Sequence, residues 1–199
     1  MSAEFEVAPF GDRAILISSS KSLLGFQGAL EPFGRVRAGI TSLLIEGVDP
    51  QRCGEIESLL LQTEPTSFDS VGRLLEIPVR YDGEDLAGVA ALLKKSEDEV
   101  VAAHTGALWT VAMVGFSPGF GYLTTTDTDL FNWIPRLDTP RTKVPAGSLA
   151  VAAGMSAIYP SASPGGWRLI GSSSVQLFDA TDQKPSLLSQ GDTVRFVRA

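Results

Sequence analysis

Three segments in the second half of the chain combine residue types that could form a binding cleft. The first, residues 115–123 (GFSPGFGYL), mixes three glycines with three aromatic residues. Glycine lets a ligand or another backbone approach closely, and aromatic rings provide a flat apolar wall. We expect this segment to shape a cleft through Gly115, Pro118, Gly119 and Phe120. A barrel corner is the alternative interpretation.

The second segment, residues 135–148 (PRLDTPRTKVPAGS), carries cations between prolines. Proline restricts the backbone, so neighbouring cationic groups would be held in place for an anion. The sequence therefore predicts that Arg136, Arg141 and Lys143 hold a phosphate or a carboxylate. A solvated surface turn is the alternative.

A third segment and a single histidine complete the candidate site. Residues 159–167 (YPSASPGGW) form a second rigid, glycine-bearing loop, and we expect Gly166 to help shape the cleft. His104 is the only histidine, and it lies at the end of a predicted helix. Because histidine titrates near neutral pH, His104 is the candidate general acid or base. The alternative is that His104 only hydrogen-bonds the last backbone carbonyls of its helix.

Several kinds of site are excluded by the residues present. No Gly-Lys-Ser/Thr closes the glycine-rich segment, so it is not a Walker A phosphate loop, and the nucleophile elbow G-x-S-x-G is missing. One cysteine and one histidine exclude a zinc site of the Cys₄ or Cys₂His₂ type. We predict no metal site, and Cys53 is expected to fill core space on an apolar helix face.

Composition limits the partners and the compartment. The 199 residues are 44% hydrophobic and 20% charged, typical of one large globular domain or two small ones. The net charge of -7 gives no general attraction to nucleic acid or anionic membranes, so we expect neither as a partner. No apolar run approaches the ~20 residues that span a bilayer. The sequence therefore predicts a cytoplasmic protein.

Hydrophobic patterns divide the chain into two predicted lobes. Up to residue 80 the order is β, β, α, β, α, β, which is typical of an α+β ferredoxin-like lobe. Asp49-Pro50 is a helix-start signal within it, Thr63 to Gly72 reads as a polar loop, and Leu74 to Arg80 is its last predicted strand.

The second predicted lobe spans residues 81–199. It opens with two helices, the second of which begins at the capping box Ser96–Glu99. Short strands between Gly, Pro and Ser turns follow, and they predict a barrel or a sandwich. The predicted strands are Leu108–Val114, Leu149–Val151, Ala157–Tyr159, Trp167–Ile170, Val175–Phe178 and Thr193–Val197.

At these segments the chain resembles a known family, the B component of 5-oxoprolinase, also called KipI or allophanate hydrolase subunit 1. It is also similar to part of the carboxyltransferase region of urea carboxylase. The resemblance covers essentially the whole chain in one order. Its eight stretches are GDRAI from Gly11, DP from Asp49, IPVRYDGEDLAGVA from Ile77, EVVAAHT from Glu99, VGFSPGFGYL from Val114, TPRTKVPAGSLAVAAG from Thr139, IYPSASPGGWRLIG from Ile158 and LFDATDQKPSLLSQGDTVRF from Leu177.

The resemblance implies a fold, a reaction and partners. The fold is an α+β lobe followed by a cyclophilin-like β-barrel. The reaction is the ATP-dependent opening of 5-oxoproline to glutamate, with Mg and ATP in the complex and no biotin attachment in this chain. The partners are the C component of 5-oxoprolinase, of the KipA or allophanate hydrolase subunit 2 type, and its A component, of the LamB/YcsF type.

Two other functions are compatible with the resemblance. One is inhibition of a sensor histidine kinase in the manner of KipI, and the other is a role in urea or allophanate breakdown. The chain also departs from the family pattern, with Met155-Ser156-Ala157 in place of Gln-Thr-Gly and Ser172-Ser173-Ser174 in place of Arg-Thr-Pro. A cation and an amide are thereby lost, and we expect these changes to affect specificity more than fold.

Overall fold

The structure is a computed structural model that describes residues 5–65 and 72–199, and it divides into two compact units, residues 1–70 and 71–199. Most of the predicted loop at 63–72 lies outside the described residues. The elements of the first unit are β1 (Glu6–Pro9), β2 (Ala14–Ser18), α1 (Gln27–Leu30), β3 (Arg35–Ala38), β4 (Ser42–Glu46) and α2 (Cys53–Gln62), with 3₁₀ turns at Leu24–Phe26, Glu31–Phe33 and Pro50–Arg52.

The first unit is an antiparallel sheet with an apolar core on one face. Its strand order is β1-β2-β4-β3. Because side chains alternate along a strand, Ile15 and Ile17 of β2 share the buried face with Leu43 and Ile45 of β4. Helix α2 packs on this core through its buried apolar residues, and Cys53 is partly buried there, as predicted.

The elements of the second unit are β5 (Leu74–Val79), α3 (Leu86–Leu93), α4 (Glu97–Gly106), β6 (Leu108–Val114), β7 (Gly121–Thr124), β8 (Arg141–Val144), β9 (Ser148–Ala152), β10 (Met155–Ile158), β11 (Ser163–Gly165), β12 (Arg168–Ser172) and β13 (Thr193–Arg198), with a 3₁₀ turn at Leu130–Trp133. The capping box at Ser96 is present, as predicted. The predicted strand Val175–Phe178 is wrong, since only an isolated bridge from Phe178 to Ser186 forms there.

The second unit is built on a seven-stranded sheet with the order β12-β9-β10-β7-β6-β13-β5. Its neighbours are antiparallel except β13 and β5, which run parallel from Thr193↔Leu74 to Arg198↔Val79. The predicted lobe boundary at residue 80 is therefore too late. Sequence order favours a place for β5 in the first lobe, which it directly follows, but β5 pairs with the last strand of the second unit.

The sheet curls until its two outer strands meet. Arg80, just after β5, and Ser172 of β12 exchange two backbone hydrogen bonds of 2.9 and 2.7 Å. Gly171 permits this approach, because a Cβ there would overlap the Arg80 carbonyl oxygen. The joining of the outer strands confirms the predicted barrel-type second lobe, and the α+β class of the whole chain is also confirmed.

The barrel separates two hydrophobic cores. The larger contains the buried residues of α3 and α4 together with Trp109, Phe131 and Phe196. The smaller lies across β9 and is built around Phe120 and Trp167. Successive residues of β9 face alternate cores, so all five of its residues are buried. The two-stranded sheet of β8 and β11 contributes Val144 to the smaller core.

We predict that Asp192→Asn destabilises the second unit by about 1–3 kcal/mol. The Asp192 carboxylate is 5% exposed and accepts from the Arg73 guanidinium at 2.6 Å and from the backbone N–H groups of Arg73 and Ser189. Burial acts to raise the pKa of Asp192, but these hydrogen bonds lower it overall. Urea unfolding measures the loss. Glu76→Gln is the control, because its exposed pair with Arg195 contributes below about 1 kcal/mol; equal effects would contradict the prediction.

Candidate functional site

The three segments singled out in the sequence meet in one cleft of the second unit. The cleft has a volume of about 110 Å³. This is small beside the roughly 300–1,000 Å³ of pockets for drug-sized ligands, so it fits a ligand of few atoms. Its lining residues are Phe116, Phe120, Tyr122, Arg136, Tyr159, Pro164, Gly165, Gly166 and Trp167.

Phe120 forms the centre of the aromatic wall. Its ring is 2% exposed and meets four aromatic rings edge to face, with centroid distances of 5.0 to 6.0 Å. Such edge-to-face pairs are favourable because the positive edge of one ring meets the negative face of another. The wall is therefore rigid, and its partners are Phe116, Tyr122, Tyr159 and Trp167.

The loop between β6 and β7 places an exposed aromatic ring at the cleft. The Gly115 N–H donates to the Phe120 carbonyl at 3.0 Å and closes the loop. Phe116 has a φ of 69° and is 62% exposed. A positive φ is costly for an aromatic residue, and residues with such backbone strain cluster at turns and functional sites. Gly119, with φ +81°, has no space for a Cβ, which would lie 2.8 Å from the Leu177 carbonyl oxygen. Gly115, Pro118 and Gly119 thus shape this loop without lining the cleft.

Arg136 supplies the positive charge of the cleft. Its guanidinium carbon lies 6.0 Å from the Trp167 ring centroid, within the range of a cation–π contact. Within residues 5–65 and 72–199 it has no carboxylate partner, so its hydrogen-bond donors are free for a ligand. Arg136 therefore lies where the sequence predicted an anion-binding cation.

Arg141 is committed to the fold instead. Its Nη2 lies 2.8 and 2.9 Å from the two carboxylate oxygens of Asp85, and its Nε lies 2.7 Å from Glu84. Burial acts to lower the pKa of Arg141, but both carboxylates raise it overall. Asp85 also accepts from the Leu169 N–H at 2.6 Å. The expectation of a free anion-binding group at Arg141 is wrong, because its donors tie the start of α3 to β8. Lys143 is exposed on β8 and does not line the cleft.

His104 is enclosed in the larger core, apart from the cleft. Its side chain is 0% exposed, with Nδ1 2.8 Å from the Tyr81 hydroxyl and Nε2 2.9 Å from Ser156 Oγ. Burial lowers the pKa of His104 to about 3, so the ring is neutral. Its indole neighbour, Trp109, donates to the His104 carbonyl at 3.0 Å. The expectation that His104 lies in a cleft is wrong, and we interpret its hydrogen bonds as structural.

Most of the cleft wall is formed by side chains that were not among the predicted site residues. Tyr159 and Trp167 bound the third segment, and Phe116 and Tyr122 lie within the first. The signal was their aromatic type in glycine-rich loops, but sequence alone does not show which rings face one space. Among the described residues, no group of His, Cys, Asp and Glu could hold a metal ion, and no helix is long and apolar enough to cross a membrane.

Comparison with known proteins identifies the family. Residues 6–188 match the model of the carboxyltransferase domain, subdomain C and D. The chain belongs to this family. The B component of 5-oxoprolinase from Haemophilus influenzae is 41% identical over 145 residues, 71% of this chain and 66% of that protein. The corresponding 5-oxoprolinase component of Bacillus subtilis is 35% identical over 199 residues, 98% of this chain and 80% of that protein. The chain thus spans just under two thirds of the Haemophilus protein.

Solved structures confirm the fold. The crystal structure of TTHA0988 has a TM-score of 0.75 at 35% identity and covers 94% of this chain and 40% of that chain. Kluyveromyces lactis urea carboxylase has a TM-score of 0.73 at 17% identity and covers 98% of this chain and 22% of that chain, which shows the fold alone. The resemblance to the B component of 5-oxoprolinase and to the urea carboxylase region is confirmed.

We predict that the stability contributed by His104 is lost on acidification. The unfolded chain takes up a proton near pH 6.5, but the folded chain does so only near pH 3, so stability falls as the pH drops through that window. Between pH 7 and pH 5 the loss in the free energy of unfolding amounts to about 2 kcal/mol. The measurement compares the free energies of unfolding of wild type and His104→Gln at both pH values. The advantage of wild type should shrink by about that amount; a constant difference would contradict the prediction.

We predict that Arg141→Ala destabilises the second unit by about 2–4 kcal/mol, because it leaves the largely buried Asp85 carboxylate without its cation. Thermal unfolding measures the effect. Lys143→Ala on the same strand is the control, and its melting temperature should stay close to that of wild type. An unchanged melting temperature for Arg141→Ala would show that the ion pair is dispensable.

Proposed function

We propose that the chain is one component of an ATP-dependent 5-oxoprolinase-type amide hydrolase that opens 5-oxoproline to glutamate. The relatives named as the B component of 5-oxoprolinase support this assignment. A lettered component implies further components in those enzymes. We therefore expect this chain to act with a C component of the KipA or allophanate hydrolase subunit 2 type, and with an A component of the LamB/YcsF type.

The observation that carries the proposal is the guanidinium of Arg136, which has no carboxylate partner among the described residues and lies beside an aromatic wall. 5-Oxoproline consists of a carboxylate on a five-membered lactam ring. The carboxylate can pair with Arg136, because guanidinium donors match the geometry of a carboxylate. The ring can pack against Trp167 and Phe120, whose faces and edges form the apolar wall.

The cleft does not fit ATP. Its volume of about 110 Å³ is far below that of a nucleotide site, and the glycine-rich segment lacks the lysine of a phosphate loop. ATP and Mg²⁺ therefore bind outside this cleft in our proposal, which assigns them to a partner protein. In this division of labour the present chain binds and orients the small cyclic amide and keeps water from its apolar face.

The departures from the family pattern lie outside the cleft. Ser156 contacts His104 in the larger core, and Met155 packs against the smaller one. Ser172 and Ser173 help to join β5 and β12. The Ser172 backbone exchanges hydrogen bonds with the Arg80 backbone, and the Ser173 hydroxyl donates to the Pro78 carbonyl at 2.8 Å. None of these residues lines the cleft. The expected effect of the departures on specificity therefore has no support in the lining of the cleft.

The alternatives from the sequence, inhibition of a sensor histidine kinase and a role in urea or allophanate breakdown, remain predictions, as does the cytoplasmic location. A measurement of 5-oxoproline turnover separates the two alternative functions from the proposed one, since neither alternative requires this turnover.

We predict that Arg136→Ala raises the KM for 5-oxoproline by about 10- to 100-fold in the assembled enzyme, because a charge-assisted hydrogen bond to the carboxylate is lost. Phosphate release by the assembly purified with its native partners is the measurement. Arg195→Ala is the control, since this exposed cation of β13 lies outside the cleft. An unchanged KM would remove Arg136 from the site, and turnover by the isolated chain would refute the need for partners.

A further inference from the structure

Tyr159 is the cleft residue whose position is most strictly determined. It directly follows β10, and both of its backbone polar groups are hydrogen-bonded. Its N–H donates to the Ser148 carbonyl at 2.9 Å, and its carbonyl accepts from the Gly147 N–H at 2.7 Å. Its side chain is 2% exposed and packs edge to face on Phe120 at 5.3 Å. The hydroxyl group therefore has a fixed location in the cleft wall.

The Tyr159 hydroxyl occupies space that a side chain at position 165 would otherwise fill. A Cβ at Gly165 would overlap the Tyr159 hydroxyl oxygen, so a larger residue there would displace the tyrosine side chain. Gly165 and Tyr159 both line the cleft. The glycine thus holds open the space through which the hydroxyl group reaches the cleft.

Among the residues that the structure describes, no group accepts the hydrogen of the Tyr159 hydroxyl. Burial raises the pKa of Tyr159, although Arg136 acts to lower it, so the phenol keeps its proton at neutral pH. Tyr159 lines the cleft, so its hydroxyl can donate to water in the empty cleft and to a ligand oxygen in the filled one.

We propose that Tyr159 determines the specificity of the cleft by donating its hydroxyl hydrogen to a neutral carbonyl oxygen of the ligand. The inference rests on the proposed function, and it narrows the ligand to a small carboxylate that also carries a carbonyl acceptor. Arg136 recognises the charge, and Tyr159 recognises the second oxygen. A ring of the same size without that oxygen leaves the Tyr159 donor unpaired, and a site with an unpaired polar group discriminates against such a ligand.

The test compares two ligands that share a carboxylate and a five-membered ring. 5-Oxoproline has the lactam carbonyl, and cyclopentanecarboxylate lacks it. Calorimetric titration of the full chain, alone and in its native assembly, should show tighter binding of 5-oxoproline by wild type. In Tyr159→Phe, affinity for 5-oxoproline should fall about 3- to 10-fold, while affinity for cyclopentanecarboxylate should be unchanged.

Tyr81→Phe is the matched control, since it removes the same atom from a tyrosine outside the cleft and should leave the ratio of the two affinities unchanged. The ratio is independent of any loss of stability, because both ligands are measured on the same folded variant. If Tyr159→Phe keeps the wild-type ratio, or wild type binds both ligands equally, the role of Tyr159 is refuted and the proposed function stands. If wild type binds neither ligand in either preparation, both proposals fall.

Discussion

The second unit depends on the joining of its two outer strands, β5 and β12. β5 supplies one outer edge of the sheet, β13 holds it in parallel register, and the Arg80–Ser172 bridge joins that edge to β12. The bridge consists of one residue pair, so it joins the two outer strands at a single point. It also fixes the curvature of the sheet, and curvature decides which side chains converge. The cleft is lined by residues of β7 and β11 and of the loops around them, so the curvature of the sheet decides which of these segments meet.

The smaller core shows how aromatic rings can crowd around one strand. β9 and β10 present alanines to it, at Ala150, Ala152 and Ala157, and these small residues leave room for the rings of Phe120, Tyr159 and Trp167. Larger residues, Leu149 and Val151, fill the opposite side of β9. Dense packing makes core positions sensitive to single methylene groups. The cleft wall therefore has the rigidity of a core, although it borders an open space.

Local patterns predicted most elements but not their partners. The apolar alternation of β2, β4, β6 and β13 and the capping box of α4 are local signals, and all were predictable. β3 was not, because its sequence RVRA is short and two of its four residues are charged. The placement of β5 in the wrong lobe has another cause, since its pairing with β13 depends on a segment that lies far away in sequence.

The same distinction applies to the site. Arg136, Phe120 and Gly166 lie in the cleft because the segments that contain them converge there. Arg141 and Arg136 look alike in sequence, and only the acidic residues Glu84 and Asp85, more than fifty positions earlier, distinguish a structural cation from a free one. The residue type of His104 suggested proton transfer, but its side chain is fully buried in the larger core and does not line the cleft.

The parallel pair of β5 and β13 also has a consequence for biosynthesis. Glu76 and Arg195 are partners across the pair, yet they are 119 positions apart in the chain. On the ribosome β5 emerges long before its partner, so an apolar strand with an open edge must wait while nearly the whole barrel is translated. Pairings this distant close slowly and leave the nascent chain open to aggregation. A chaperone that shields β5 during translation would therefore increase the yield of folded protein without altering its final stability.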